Sequence, residues 1–463
     1  MSELKSIARH TGVVFVGQLA VMAFGVTDTV VAGRHSAQAL AALSVGTAIY
    51  ISVYVGLMGV LQALLPIWAE LQGARRHGEV GRSLRQALYL CAACIVLGMV
   101  VLLMPGPLLR AAQVPPALQA EAERYLAVLA WALPPALLFR LYSTLNQSLG
   151  HPRLVTLLQV AALLPKIALS VWLTFGGAGL APQGAVGCAW ATLLVNCGLL
   201  AVALWLLRTQ GLYAPYAIWQ RLERPDWRQL AAFVRLGVPA GLSVMVEVTS
   251  FTLMALFIAR LGTLASASHQ IAGNVAALLY MLPLALGIAT SMRVSHWRGA
   301  GDAARARHAA GLGLGAAALL ALLAAAALAL AAGPVAALYV NDPAIAALAQ
   351  GLLLWVAAYH LGDALQAVAL FVLRSYRITV LPFVLYALLL WGLGLSGGYL
   401  LAFQGLGPWP AMQAPQAFWM TSATALLLVA ALLCGLLWRV ARADCPDNGA
   451  PGRDRAAALP GLE

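Results

Sequence analysis

Runs of about 20 or more apolar residues, the length that spans a bilayer as a helix, alternate with short polar joints along nearly the whole chain. The pattern predicts twelve helical segments, at 11–33, 40–66, 86–105, 122–147, 154–175, 185–208, 231–259, 264–292, 309–332, 345–372, 380–403 and 416–438. Several are apolar on every face, as lipid or a bundle interior requires. The joints carry turn and charge signals such as Pro105-Gly106-Pro107, Asn341-Asp342-Pro343 and the stretch from Gly405 to Pro410.

Composition points the same way. The 463 residues are 62% hydrophobic and 10% charged, with a mean hydropathy of +0.85. Soluble chains carry roughly 45–50% apolar and about 25% charged residues. This excludes a cytosolic enzyme, a nucleic-acid binder and a disulfide-stapled secreted protein, and leaves a polytopic, all-α membrane protein. Residues 11–33 read as a span rather than a secretory signal. The stretch exceeds the usual h-region of about 7–15 residues and carries Asp28. Cys91 and Cys94 form a C-x-x-C with no polar or basic surroundings, and read as small core residues rather than a reactive pair.

The net charge of +12 is explained by position. With the N-terminus in the cytoplasm, nearly every basic residue falls at the N-terminus, in an inward connection (such as Arg75, Arg76, Arg82, Arg85, Arg293, Arg298, Arg374 and Arg377) or in the C-terminal tail. The exceptions are Arg34, Arg110, Arg124 and Arg260 in outward connections, and Arg140 and Lys166 within spans. This bias follows the positive-inside rule and places both termini in the cytoplasm.

The chain also resembles itself at an offset of 226–227 residues. AGRHSAQALAALSVG at 32–46 answers ARLGTLASASHQIAG at 259–273, Gly73 answers Gly299, and Pro116 answers Pro343. Six spans per repeat is an even number, so both repeats share one orientation. The expectation is two six-helix bundles related by a pseudo-two-fold along the membrane normal, a plan used by rocking transporters. The divisions are an N-terminal lobe at 1–208, a surface-lying cytoplasmic linker at 209–230, a C-terminal lobe at 231–438 and a cytoplasmic, disordered tail at 439–463.

Three acids fall within the body of a span rather than at its edge: Asp28 in the first, Glu247 in the seventh and Asp363 in the tenth. A charge at the bilayer centre costs at least about 2.5–3.5 kcal/mol, so such residues face a cavity, find a partner or hold a proton. Carboxylates can ligate a hard cation such as Na⁺ through oxygen, or bind and release H⁺. Lys166, one of two lysines in the chain, lies too deep in its span to snorkel easily, and Asp28 of the same repeat is its nearest candidate partner. Arg140, nearer the inner end of its span, is expected to snorkel toward the cytoplasm. His269 and Gln270 sit early in the eighth span. His360 precedes Asp363 by three residues, on one helix face. These three are a possible proton relay or substrate contact, although a satisfied core histidine is the commoner outcome. No zinc spacing, phosphate-cradling loop or D-x-x-D appears, which argues against metalloenzyme, ATP-driven and prenyl-transfer chemistry. The chain reads as a non-enzyme with no resident cofactor.

Several segments carry a family resemblance. They include GVTDTVVAGRHSAQALAALSVG at 25–46, RLGVPAGLSVMVEVTSFTLMALFIARLG at 235–262 and LGDALQAVALFVLRSY at 361–376. The sequence is similar to the multidrug and toxic compound extrusion (MATE) transporters of the NorM-like bacterial branch, over most of 11–438. The resemblance implies a bacterial inner-membrane monomer that exports drugs or organic cations by alternating access, in exchange for Na⁺ or H⁺. It matches Asp28 to the family's first-span aspartate. It matches Glu247 and Asp363 to the carboxylates that bind the coupling cation in the C-terminal lobe, so that these two would hold Na⁺ if Na⁺ is the ion. A lipid-linked substrate flippase of the same superfamily is the alternative. The branch usually offers two asparagines in the fifth span near the first-span aspartate; here Lys166 and Ser170 stand there, while Thr192 keeps the sixth-span threonine. An ammonium at 166 would repel Na⁺, so Asp28, Lys166, Ser170 and Thr192 are expected to form a charge-paired site, with coupling left to Glu247 and Asp363.

Overall fold

The computed structural model describes residues 3–111, 115–177, 179–405 and 410–444. In chain order the helices are α1 (Glu3–His35), α2 (Ala37–Gln62), α3 (Leu65–Gly73), α4 (His77–Leu103), α5 (Gly106–Ala111), α6 (Pro116–Ser148), α7 (Pro152–Ala161), α8 (Leu163–Phe175) and α9 (Ala185–Thr209). After a 3₁₀ turn at Gly211–Tyr216 come α10 (Trp227–Ala259), α11 (Thr263–Gly299), α12 (Ala303–Tyr339), α13 (Pro343–Ser375), α14 (Val380–Ala387), a π-helical stretch at Leu388–Ser396, α15 (Gly397–Phe403) and α16 (Gln416–Ala443). Among the described residues the only β-type pairing is one bridge, Gly177 with Leu180.

Taken with their continuations, these helices make twelve stretches long and apolar enough to cross a membrane, each on a segment predicted from the sequence. Several run well past the apolar window. Those at Thr263–Gly299 and Ala303–Tyr339 have 37 residues each, about 55 Å at 1.5 Å per residue, against a hydrocarbon core of about 30 Å. Their polar ends therefore project beyond it. The last helix likewise continues through Ala443, so 439–443 are helical rather than tail, and Asp444 pairs with Arg298 at 3.0 Å. Residues 445–463 of the expected tail lie outside the described residues.

The breaks within spans have local causes. Pro66 lacks the N–H that Gln62 would receive, which separates α2 from α3; Pro165 does the same to Ala161, which separates α7 from α8 one residue before Lys166. In the eleventh span the π-helical stretch leaves the Gly394 carbonyl accessible, and Thr421 Oγ1 donates to it at 2.7 Å.

Two large apolar clusters form the interior. One draws on residues from Val31 to Phe233; the other draws on Val246 to Leu437 plus Ile7. Smaller clusters join the two halves. One combines Val14, Leu65 and Ala69 with Ala285, Ile288, Met292 and Phe371; another combines Ala63 with Leu236 and Ala240. All of these lie toward the end of the spans that carries Arg75, Arg76, Arg293 and Arg377, called here the basic end.

Glycine makes this seam close. On α2, Gly56 and Gly59 meet Gly241 and Met245 of α10, and a Cβ at Gly59 would stand 2.9 Å from the Gly241 Cα. Small residues permit such backbone approach. Nearer the basic end, the repeat-related pair Gly73 and Gly299 face each other's helices reciprocally. A Cβ at Gly73 would overlap the His296 carbonyl, and one at Gly299 would overlap that of Glu70. Ion pairs flank the contact: Arg377 with Glu70 at 2.7 Å, and Arg293 with Glu3 at 2.5 Å.

The connector at 209–230 does more than lie on a surface. It is docked onto the first half by hydrogen bonds from buried α4 side chains. Arg85 donates to both Glu223 carboxylate oxygens, at 2.5 and 2.8 Å, and to the Ala217 carbonyl at 2.7 Å; Gln86 bonds the Arg224 carbonyl and the Asp226 N–H. The guanidinium of Arg85 holds the Glu223 carboxyl below its ordinary range.

Candidate functional site

The interior carboxyls form two arrangements, one in each half. In the first half, α1 brings Asp28, α8 brings Lys166 and Ser170, and α9 brings Thr192 and the Cys188 carbonyl. Lys166 is 1% exposed and Asp28 9%. The ammonium lies 2.7 Å from Asp28 Oδ1 and 2.8 Å from Oδ2. It also donates to Thr192 Oγ1 at 2.7 Å and approaches the Cys188 carbonyl at 3.3 Å. Ser170 donates to Asp28 Oδ1 at 3.0 Å, and Thr192 spends its own proton on the Cys188 carbonyl at 3.0 Å. Each oxygen of the carboxylate has a donor, and the ammonium sits in a nest of oxygens. This is the compensation a buried ion pair needs to persist in a low-dielectric interior.

The second half is arranged differently. Glu247 on α10 and Asp363 on α13 are near enough to repel each other. Tyr280, Tyr359 and Tyr386 lie within the field of both carboxylates. Gln366, one turn after Asp363, donates to Asp363 Oδ1 at 3.2 Å, while its own Oε1 is buried with no partner. The Tyr386 hydroxyl faces Glu247 yet makes no well-formed hydrogen bond. Arg374, 2% exposed, acts on Glu247 only through space; its guanidinium stacks 4.3 Å over the Phe371 ring and its Nε is unpartnered. Among the described residues neither carboxylate has an ion-paired base. Two such acids in an apolar interior call for a proton or a small cation. The available donors, carboxylate, amide and phenol oxygens, are of the hard type that suits Na⁺.

The remaining expected residues separate. His269 accepts from Trp419 Nε1 at 3.2 Å inside an aromatic cluster with Phe251 and Tyr359, which makes it a satisfied core histidine. Gln270 is exposed, with only a 3.5 Å contact to Asn274. His360 is buried but makes no hydrogen bond to Asp363; the aspartate turns instead to Gln366 and toward α10. Sharing a helix face did not make His360 and Asp363 hydrogen-bond partners. Arg140 does not snorkel. It is 8% exposed, its guanidinium lies against Met58 Sδ, and its Nε has no partner. Its position two turns before the end of α6 leaves it below the surface. Sequence reading missed Tyr280, Tyr359, Tyr386 and Gln366. The signal was available for Gln366, at i+3 from a buried acid, but mid-span tyrosines are not distinctive.

Comparison with known proteins places this arrangement in a family. The MatE family model matches residues 14–172 and 239–400, one segment in each half. The chain is 40% identical to a probable multidrug resistance protein NorM of Aromatoleum aromaticum, over 93% of both chains. It is 34% identical to the multidrug resistance protein PmpM of Pseudomonas aeruginosa, over 95% of this chain and 92% of that one. Among solved structures, a crystal structure of MATE in the straight conformation superposes with a TM-score of 0.85 at 16% identity, covering 96% of this chain and 97% of the other. A match in both halves, together with a relative of this identity over nearly the full length, shows that the chain belongs to the MatE family of MATE transporters.

Proposed function

We propose that this protein exports drugs, chiefly organic cations, across a bacterial inner membrane in exchange for Na⁺ or H⁺ held at Glu247 and Asp363. The observation that carries the reading is the contrast between Asp28, whose charge is matched by Lys166, and the two acids of the second half, which have no paired base among the described residues. Relatives described as multidrug resistance proteins support the substrate class. The positive-inside bias supports cytoplasmic termini, so the basic end faces the cytoplasm. The cross-half ion pairs and shared apolar clusters sit at that end, which supports a state closed inward and open outward.

In this reading the lobes at 1–208 and 231–438 rock as units in a monomer. A cation entering from outside neutralises the carboxylate pair and removes the penalty for enclosing it, so the outer side can close. A positively charged substrate arriving from the cytoplasm competes for the same two charges, and the coupling ion leaves inward. Ethidium efflux from loaded cells, with Na⁺ and pH varied separately, tests this. Efflux that follows one gradient identifies the ion, and efflux indifferent to both defeats the proposal.

A further inference from the structure

The exchange reading uses Glu247 and Asp363 but leaves Arg374 without a task. By sequence Arg374 belongs to an inward connection; in the fold it lies inside α13 and is 2% exposed. It follows Asp363 by about three turns of the same helix, so the two stand on one face of α13. Helical side chains lean toward the N-terminus of their helix, which directs Arg374 back toward Asp363. Its guanidinium stacks 4.3 Å over Phe371, a member of the apolar cluster that joins the halves, so packing holds it in place. Glu247 and Tyr280 both feel its charge through space. Neighbouring bases are occupied elsewhere: Arg377 pairs with Glu70 and Arg298 with Asp444. Arg374 pairs with no carboxylate among the described residues, and its Nε is buried without an acceptor.

A guanidinium keeps its charge at any ordinary pH, and in an apolar interior that charge is felt well beyond contact distance. Two ionised carboxyls and one guanidinium therefore sum to a single negative charge. One monovalent cation balances it. A divalent ion, or a second monovalent one, would leave an excess positive charge in the interior, where an unmatched charge is unfavourable. The Phe371 ring keeps the guanidinium off the carboxyls, so Arg374 cancels one charge without occupying the oxygens that would hold an ion. Gln366 Oε1 and the Tyr386 hydroxyl, both buried and unpartnered, are further oxygens for one small ion. We infer that Arg374 is a specificity-determining residue, which sets the coupling site to a single monovalent cation and turns divalent ions away. This rests on the exchange proposal and adds to it the number of charges taken up.

The test measures binding of radiolabelled Na⁺ and Ca²⁺ to the purified full-length protein, in alkaline buffer where protons compete least, for wild type, Arg374→Gln and Arg374→Lys. Wild type is expected to bind a single Na⁺ and to bind Ca²⁺ poorly. Arg374→Gln should tighten Na⁺ by about tenfold and Ca²⁺ by about a hundredfold, because the Coulomb energy doubles with the charge of the ion. Arg374→Lys restores the charge and should restore the preference for Na⁺. An equal change for the two ions, weaker binding of both, or no binding of Na⁺ by wild type would overturn the inference. Should Arg374→Gln fail to fold because two acids are left together, the double variant Asp363→Asn with Arg374→Gln decides. It returns the site to one negative charge and is expected to recover the Na⁺ binding that Asp363→Asn alone loses; no recovery would overturn the inference. Na⁺ binding that survives both Glu247→Gln and Asp363→Asn would instead defeat the exchange site itself.

Discussion

The two halves repeat one architecture but dispose of buried charge in opposite ways. In the first, the buried acid Asp28 and the base Lys166 from different helices meet at 2.7 Å, and the donors around that pair are used. In the second, two acids stand together with an unfilled amide oxygen and a phenol at hand, and the nearest guanidinium stacks on a ring instead of pairing. A carboxylate neutralised in place needs nothing from solution, whereas two unpaired carboxyls call for a proton or another positive species. Under the proposed exchange, the duplicated fold lets one lobe be a fixed partner while the other responds to the ion.

The strongest way to break this contrast is to remove an acid of the second half. Glu247→Gln or Asp363→Asn is expected to reduce ion-driven dye uptake into inverted vesicles to background, and retained Na⁺- or H⁺-dependent uptake would show that the lone pair is not the coupling site. In the first half the effect should fall on stability as well as transport. Lys166→Met leaves Asp28 as an unmatched buried charge, and Asp28→Asn leaves Lys166 so; each is expected to lose about 3–5 kcal/mol, read by thermal unfolding in detergent, and to impair efflux. The double variant Asp28→Asn with Lys166→Met should recover much of that stability, because neither charge is left alone. Purely additive losses would mean that the pair is not an energetic unit.

A smaller effect is expected at the seam that both halves share. Gly73→Val places a side chain where the His296 carbonyl lies, and Gly299→Val does the same against Glu70. Either should shift the population toward the state open at the basic end by about tenfold, equivalent to about 1.4 kcal/mol. The rate at which an impermeant maleimide reaches a cysteine placed at Met245, on the seam, reports this in inverted vesicles, and unchanged labelling would show that the glycine contact is not a gate. The smallest effect concerns the connector. Glu223→Gln is expected to lower stability by under about 1 kcal/mol at neutral pH, since the carboxylate is partly exposed. Because Arg85 depresses the Glu223 carboxyl, its contribution is present above the ordinary carboxylate range and disappears as pH falls through the lowered value. Melting temperatures of wild type and variant should therefore converge in acid, and a gap that persists would place the stabilisation elsewhere.

Periodicity and composition determined the twelve spans because lipid admits only backbone that satisfies itself, so each crossing must be written as a continuous apolar run. The same economy made Asp28, Lys166, Glu247 and Asp363 visible, since an ionisable group in such a run is rare. The constant repeat offset also pairs Gly73 with Gly299, which meet each other's helices in the fold. What the chain order could not supply was contact between helices. That Lys166 reaches both oxygens of Asp28, that Glu247 on α10 comes within the field of Asp363 on α13, that Asp363 takes Gln366 rather than His360 as its hydrogen-bond partner and that Arg140 stays buried beside Met58 are all decided by how helices rotate and tilt against one another. Helical spacing fixes which residues share a face, but only packing fixes what that face meets, and a side chain's charge balance depends on the second.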